Sequence, residues 1–369
     1  MRLITVAIHT YDHAAALRRR LEREGIEVVL QNVNLESPVV SSGMRVRIHE
    51  RDLPLALRII ENPDIFPDEE PQQGSEKKEI LVPIDFSSHS FNAARVAVGL
   101  ADIHGSDLRL FHTYIDPVVA GKMQLSDSLT YELTDADSRK RIVDEANRSM
   151  QRVVDVLKEQ MRSGELPAVK INAEITEGVP EDEIIQYVKS RAPFMVVMGT
   201  RSFEKKEREM IGSVCAQVLD SCRSSVLVIP ENAVLSLDSG QMKQLFFANL
   251  DQEDILAMDT FFRVFPDRRT VASVVNIPGK RRLIERAKAD TPESLVGYFT
   301  TTYPASSFMA ADMAAAAVLD DFDRLQLQNS YDILVIPNKK KGLLSRVFNP
   351  GLAQRLLFRA DVPMLVIPV

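Results

Sequence analysis

The stretch "VVMGTRSFEKKEREMIGSVCAQVL", Val196 to Leu219, reads as a strand, a polar loop and the opening turns of a helix. An unbroken apolar run that stops at Met198-Gly199 marks a strand covered on both faces, as in a parallel sheet. Small residues at Gly199, Ser202, Gly212 and Ser213 stand where a loop needs its backbone free to approach a ligand. Helix N-termini expose unpaired amides and a partial positive charge, so the start of the helix at Gly212-Ser213 suits an anion such as phosphate.

Working outward, strands and helices alternate. "EILVPIDFS", "DLRLFHTYI", "KINAEITEG", "FMVVMGT" and "SSVLVIP" read as strands. Between them lie helices at "SFNAARVAVGLADIHG", from about Ser138 to Arg162, at "PEDEIIQYVKSRA", and from about Gly212. In the second, Ile142, Ala146, Met150, Val153, Val154, Leu157 and Met161 trace an apolar stripe. The order then repeats. "QLFFANLD", "TVASVVNI", "SSFMAAD", "DILVIPN" and "PMLVIPV" form a second set of strands, with helices from Glu253, about Lys280, at "AAAAVLDDFDRLQLQ" and near Gly351. Both sets end alike, in "SSVLVIP" and "VPMLVIP", which marks an internal duplication of a whole domain.

Ahead of the pair, "LITVAIH", "DHAAALRRRLERE", "IEVVLQNVN", "MRVRIHE" and "LPLALRIIE" read as a small βαββα unit. Asp12 is its expected helix N-cap and Gly25 the stop. The expected fold class is α/β: two tandem five-stranded parallel-sheet domains preceded by this small α+β module. The boundaries are 1–66 for the module, 67–78 for a Pro- and charge-rich linker, 79–231 and 244–369 for the two copies, and 232–243 for a second linker.

Composition limits the function. The chain has 369 residues, 45% hydrophobic and 26% charged, with a formal net charge of -7, so neither nucleic acid nor an anionic membrane is an expected partner. No apolar run approaches the roughly 20 residues of a membrane span. Cys215 and Cys222 make no disulfide framework, and a reducing, cytoplasmic setting is expected. His9 and His13 straddle a strand end and a helix cap without a third ligand, so no metal site is assigned.

In an open α/β sheet, ligands bind beyond the carboxyl ends of the strands. That edge gathers Asp85, Gly178, Met198-Gly199 and Gly212-Ser213. Asp85 can accept hydrogen bonds from a ribose or base, or hold a cation through water. His89 follows closely and reads as an exposed helix-start residue. No carboxylate–histidine pair is expected beside the cradle, nor any Walker sequence, and no residue is assigned as catalytic.

Gly199, two residues, Ser202, nine residues, Gly212 and Ser213 resemble the nucleotide signature of the universal stress protein family, G-x2-G-x9-G-(S/T), with Ser202 in a glycine's place. "ILVPIDFS" is similar to the family's opening strand and "EGVPEDEI" to its third-strand exit. The resemblance implies an adenine-nucleotide-hydrolase-like fold and nucleotide contacts at Pro83, Asp85, Met198, Gly199, Ser202, Gly212, Ser213 and Val214, with ATP and magnesium as cofactor. A serine at a glycine position of positive φ costs about 1–2 kcal/mol or shifts the loop. The small N-terminal unit resembles ferredoxin-like, PII-like signal-transducing modules.

The second copy departs from the pattern. Pro337 or Ile336 takes the place of the first glycine, "NPG" (349–351) that of Gly212-Ser213, and Leu250-Asp251 stand against Asp85, one residue out of step. This copy is expected to bind no ATP and to be structural or an interaction partner. The hydrophobic last strands are expected to pair antiparallel, giving a pseudo-dimer within one chain, with homodimerisation through other faces left open. The function these features imply is a regulatory protein that binds ATP or a related nucleotide in the first copy as a switch or sensor. The alternatives are a scaffold of the same fold without a ligand and, third, a slow ATPase.

Overall fold

The computed structural model describes residues 3–9, 14, 17–18, 21–22, 25–32, 44–56, 78–115, 136–201, 213–237, 240–248, 250, 253–266, 268–276, 291–312, 318–338 and 361–369. The chain divides into two compact units, Met1–Glu76 with Ile284–Thr302, and Lys77–Leu283 with Tyr303–Val369.

In the first unit, β1 (Leu3–His9), β2 (Val28–Asn32) and β3 (Met44–His49) form an antiparallel sheet with β3 in the centre. Alternation along β3 sends Val46 and Ile48 into a core with Ala14, Leu17, Leu21, Ile26, Val28 and Ala56. Gly25, at φ 80, ends the helical turn before β2, and the Ile26 amide donates to the Leu21 carbonyl at 3.0 Å. That is the left-handed glycine stop expected from the sequence. Asp12, the expected cap, lies outside the described residues, as does His13.

The second unit is built on one ten-stranded sheet. Its strands are β4 (Glu79–Pro83), β5 (Asp107–Tyr114), β6 (Ile171–Glu177), β7 (Met195–Thr200), β8 (Val226–Pro230), β9 (Gln241–Ala248), β10 (Arg269–Asn276), β11 (Ser307–Asp312), β12 (Ile333–Asn338) and β13 (Met364–Pro368). Their spatial order is β11-β10-β9-β12-β13-β8-β7-β4-β5-β6. All neighbours run parallel except β13 and β8, which pair antiparallel through Met364–Val228, Leu365–Leu227 and Val366–Val226. The two five-stranded halves therefore fuse through their last strands, as the repeated "LVIP" endings led us to expect. β8 is buried along its whole length. One hydrophobic core runs across the junction, from Leu81, Val196 and Val228 to Leu334, Met364 and Val366.

Among the described residues the α-helices are α1 (Ser88–Ile103), α2 (Ala136–Arg162), α3 (Pro180–Arg191), α4 (Ser213–Ser221), α5 (Glu253–Val264), α6 (Pro292–Thr302) and α7 (Val318–Asn329), and the helix expected near Gly351 lies outside those residues. Each has a local cause. Ser87 caps α1, its hydroxyl accepting from the Ser90 amide at 3.2 Å. Along α2, Ala146, Met150, Val154 and Leu157 of the expected stripe are buried, while Ile142, Val153 and Met161 are half-buried. α3 opens with Pro180 and three acidic residues and closes at Ala192, in the left-handed region at φ 45.

Hydrogen bonds repeat between the halves and give their register. The Phe194 amide donates to Glu79 O at 2.8 Å, and Asp332 donates to Lys243 O at 2.8 Å. Val196 donates to Ser225 O at 2.9 Å, and Leu334 to Pro363 O at 2.9 Å. Glu79 thus corresponds to Lys243 and Val196 to Leu334, which puts Pro337, not Ile336, at the position of Gly199. His112 Nδ1 donates to Ile84 O at 2.7 Å, and Asn276 Nδ2 to Ala248 O at 2.8 Å. Phe86 and Leu250 both adopt positive φ, 65 and 57. Leu250 therefore corresponds to Phe86, and the residue before it, Asn249, takes the sequence position of Asp85. This corrects the expected match of Leu250-Asp251 to Asp85; the shared turn conformation sets the alignment.

The expected second linker is also revised. Residues 241–244 belong to β9, and the segment from Glu231 to Leu237 is fastened to α1. Asn92 Nδ2 donates to the carbonyls of Pro230, Glu231 and Ala233 at 3.3, 3.3 and 3.1 Å. Leu235 is buried, and Leu237 sits so close over Gly99 that a Cβ there would lie 2.6 Å from its Cδ1.

Candidate functional site

The order β6-β5-β4-β7-β8 makes β4 and β7 the place where successive crossovers diverge, the usual ligand position in an open α/β sheet. The two strands pair only through Ile80–Met195 and Leu81–Val196, and beyond that they separate. A cavity of about 270 Å³ opens there at the carboxyl ends of the strands. Pro83, Ile84 and Asp85 enter it from β4 and its exit, Phe111, His112 and Thr113 from β5, and Met198, Gly199, Thr200 and Arg201 from β7 and its exit. Helix starts supply the rest: His89 and Ser90 from α1, Pro180 and Ile184 from α3, Val214 and Cys215 from α4.

Five residues assigned from the sequence meet in this cavity: Pro83, Asp85, Met198, Gly199 and Val214. Ser213 is the first residue of α4, as expected, while Ser202 and Gly212 lie outside the described residues. Gly178 follows β6 and does not line the cavity. Cys215 is buried at the wall, and Cys222 is buried just past the end of α4.

Gly199 has a steric cause independent of any ligand. A Cβ built there would lie 2.3 Å from the His89 carbonyl oxygen and 2.6 Å from the Ser90 amide nitrogen. Only glycine lets β7 pass this close to the start of α1.

Asp85 sits at the turn between β4 and α1. Its Oδ1 accepts from the Ser87 amide at 3.1 Å and from the Ser87 hydroxyl. Its Oδ2 lies 3.3 Å from His89 Nε2. Burial raises the pKa of this carboxyl, but hydrogen bonds from His89, Ser87 and Ser90 outweigh it and hold the group well below the usual carboxylate range. It is an anion at neutral pH, acceptor-only, with an outer surface still 62% exposed.

Two expectations fail at His89. Its side chain is 13% exposed, not free in solvent, and it forms a carboxylate–histidine pair with Asp85 inside the cavity. The spacing of four carried the signal, but it crosses a βα turn, and the positive φ of Phe86 bends the carboxylate back toward the helix. His112 was missed as well. Its Nδ1 bond to Ile84 O and its ring, 4.3 Å from that of Phe86, fasten the same turn from β5.

A second charged group lies at the opposite ends of these strands. Glu79 accepts from Arg109 Nε at 2.9 Å and from the Tyr187 hydroxyl, tying α3 to the sheet. Burial, together with this acceptor, pushes the Tyr187 hydroxyl pKa upward, so it stays a donor. This group serves packing.

The sequence model of the universal stress protein family matches residues 77–230. A universal stress protein of Methanocaldococcus jannaschii is 28% identical over 153 residues, 41% of this chain and 81% of the relative. The crystal structure of a universal stress protein from Archaeoglobus fulgidus covers 79% of this chain and 98% of its own, with a TM-score of 0.55 and 15% identity. At that identity the likeness speaks for the fold, and it extends over more of the chain than the family match. Among the described residues no helix is long and apolar enough to cross a membrane. Residues 77–230 are therefore similar to the universal stress protein family, and this stretch carries the cavity where the parallel strands diverge.

Proposed function

We propose that this domain binds an adenine ribonucleotide, ATP with magnesium, and acts as a switch or sensor. One observation carries the reading: Pro83, Asp85, Met198, Gly199 and Val214, assigned from the signature, line one cavity at the divergence of β4 and β7. Its volume, about 270 Å³, is near the lower end of small-molecule pockets, roughly 300 Å³. It suits a nucleoside with its phosphates outside. The base lies against the wall that includes Ile84, Ile184 and Met198, and Asp85 accepts from ribose hydroxyls. The phosphates face the start of α4, where Ser213 opens the helix, and Arg201 adds a cation. Magnesium travels with the phosphates, as it usually does, and needs no cage of protein ligands.

The second copy is read as structural, because Pro337 stands where Gly199 admits the close approach of α1. The small N-terminal module is read as a ferredoxin-like or PII-like signalling unit. Thermal unfolding of the full chain with and without Mg-ATP tests the proposal. At about 100 times the dissociation constant a ligand stabilises by roughly 2.7 kcal/mol, a rise of several degrees. No rise at millimolar ATP removes the nucleotide and favours the scaffold. Phosphate release faster than about one per second would instead establish an enzyme.

A further inference from the structure

We infer that His89 is the positioning residue of the Asp85 carboxylate, and through it sets how tightly the cavity holds a nucleotide. The inference rests on reading the cavity as a nucleotide site. A carboxylate can only accept, so His89 presents a proton on Nε2 to Oδ2, while Ser87 holds Oδ1. Ser87 fixes one oxygen and His89 the other, so the plane of the carboxylate is set while 62% of the side chain stays exposed. The same residue touches the site a second time, because its carbonyl is the atom against which Gly199 packs.

The duplication supplies an internal comparison. The turn conformation persists in both halves, at Phe86 and Leu250, and so does its fastening, by His112 and Asn276. These belong to the fold. In the same register, Asp85, Ser87, His89 and Gly199 are replaced by Asn249, Asp251, Glu253 and Pro337, all together. His89 is thus absent where the other site residues are absent, and its replacement leaves the turn intact.

Helix stability does not account for it either. The first turn of α5 carries Glu253 and Asp254, the acids a helix N-terminus favours, whereas the first turn of α1 has none. An imidazole there gains nothing from the helix dipole. Its partner is Asp85.

Calorimetric titration of the full chain with ATP tests this. H89A is expected to bind about tenfold more weakly, the worth of one charge-assisted hydrogen bond. H89Q, whose side-chain amide can donate to Oδ2, is expected to recover most of that loss. In a D85N background, H89A should cost nothing further. An H89A chain that binds like the wild type, a loss that H89Q does not recover, or an equal loss in the D85N background overturns the inference. Nitrogen-15 spectra of the ligand-free chain read the pair without any nucleotide: the Nε2–H form of His89 is expected, and the Nδ1–H form contradicts it. A wild-type chain that binds no ATP overturns the nucleotide reading and with it any role in affinity. The tautomer then decides separately whether His89 holds Asp85.

Discussion

At the scale of single residues, Gly199 and His104 are two positions where one side chain, or its absence, has consequences that can be measured. An alanine methyl at Gly199 would press on the His89 carbonyl, which is backbone and cannot rotate away. G199A is expected to lower stability in urea by about 1–3 kcal/mol, the usual cost of overpacking, and to weaken ATP binding in the same preparation. His104 joins the halves: its Nε2 donates to the Val264 carbonyl at the end of α5, at 2.9 Å, and its ring packs on Phe194 at 4.5 Å. Burial holds the His104 pKa below its ordinary 6.5, with Lys78 acting in the same direction and the Val264 bond opposing both. The unfolded chain therefore takes up the proton first. Stability from this group is complete above about pH 6.5 and is lost as the pH falls toward the folded-state value. Urea midpoints measured between about pH 7 and pH 5 should fall, and H104Q should fall less steeply over the same window.

At the scale of elements, the strap from Glu231 to Leu237 is fastened to α1 by side-chain hydrogen bonds. Asn92 spans three carbonyls of that segment, and Ser88 Oγ adds a bond to Glu231 Oε1 at 2.7 Å. N92A removes the side-chain donor to those carbonyls, of which Pro230 O still accepts from the Ala233 amide at 3.0 Å, and is expected to cost about 1–3 kcal/mol. Amide exchange should accelerate across residues 231–237 while the centre of β4 keeps its protection. If the strap amides exchange as in the wild type, Leu235 and Leu237 hold the segment without help from Asn92. "PENAVLSLDSG" has the composition of a linker, and only the packing of Leu237 over Gly99 reveals a fixed element.

At the scale of the whole second unit, the two halves share a sheet through three antiparallel residue pairs at β8 and β13. Leu365 lies between β12 and β8, facing Val335 on one side and Leu227 on the other. Proline there removes a ladder donor in a central strand and is expected to cost about 3 kcal/mol or more. In L365P the calorimetric unfolding of this unit should broaden or split, with Val226–Val228 losing exchange protection before β4 does. A single sharp transition in L365P would show that packing across the core, not the strand ladder, couples the halves.

The sequence by itself determined the order of the strands in the two halves, the duplication, the antiparallel pairing of the two "LVIP" strands and five of the residues that line the cavity. Each of these depends on periodicity, on a repeated phrase or on the spacing of a signature, all of which are read along the chain. Only the tertiary structure decided that Asn249, not Leu250 or Asp251, matches Asp85, because that match turns on the backbone angle at one residue, φ 65 at Phe86 and 57 at Leu250. It also decided that His89 pairs with Asp85 and that Gly199 packs against the His89 carbonyl. Gly199 and His89, far apart along the chain, meet only after β4 and β7 have paired and α1 has turned back over them. Asp85 and His89 are close in sequence, but their meeting depends on the turn at Phe86, which a spacing of four does not settle by itself.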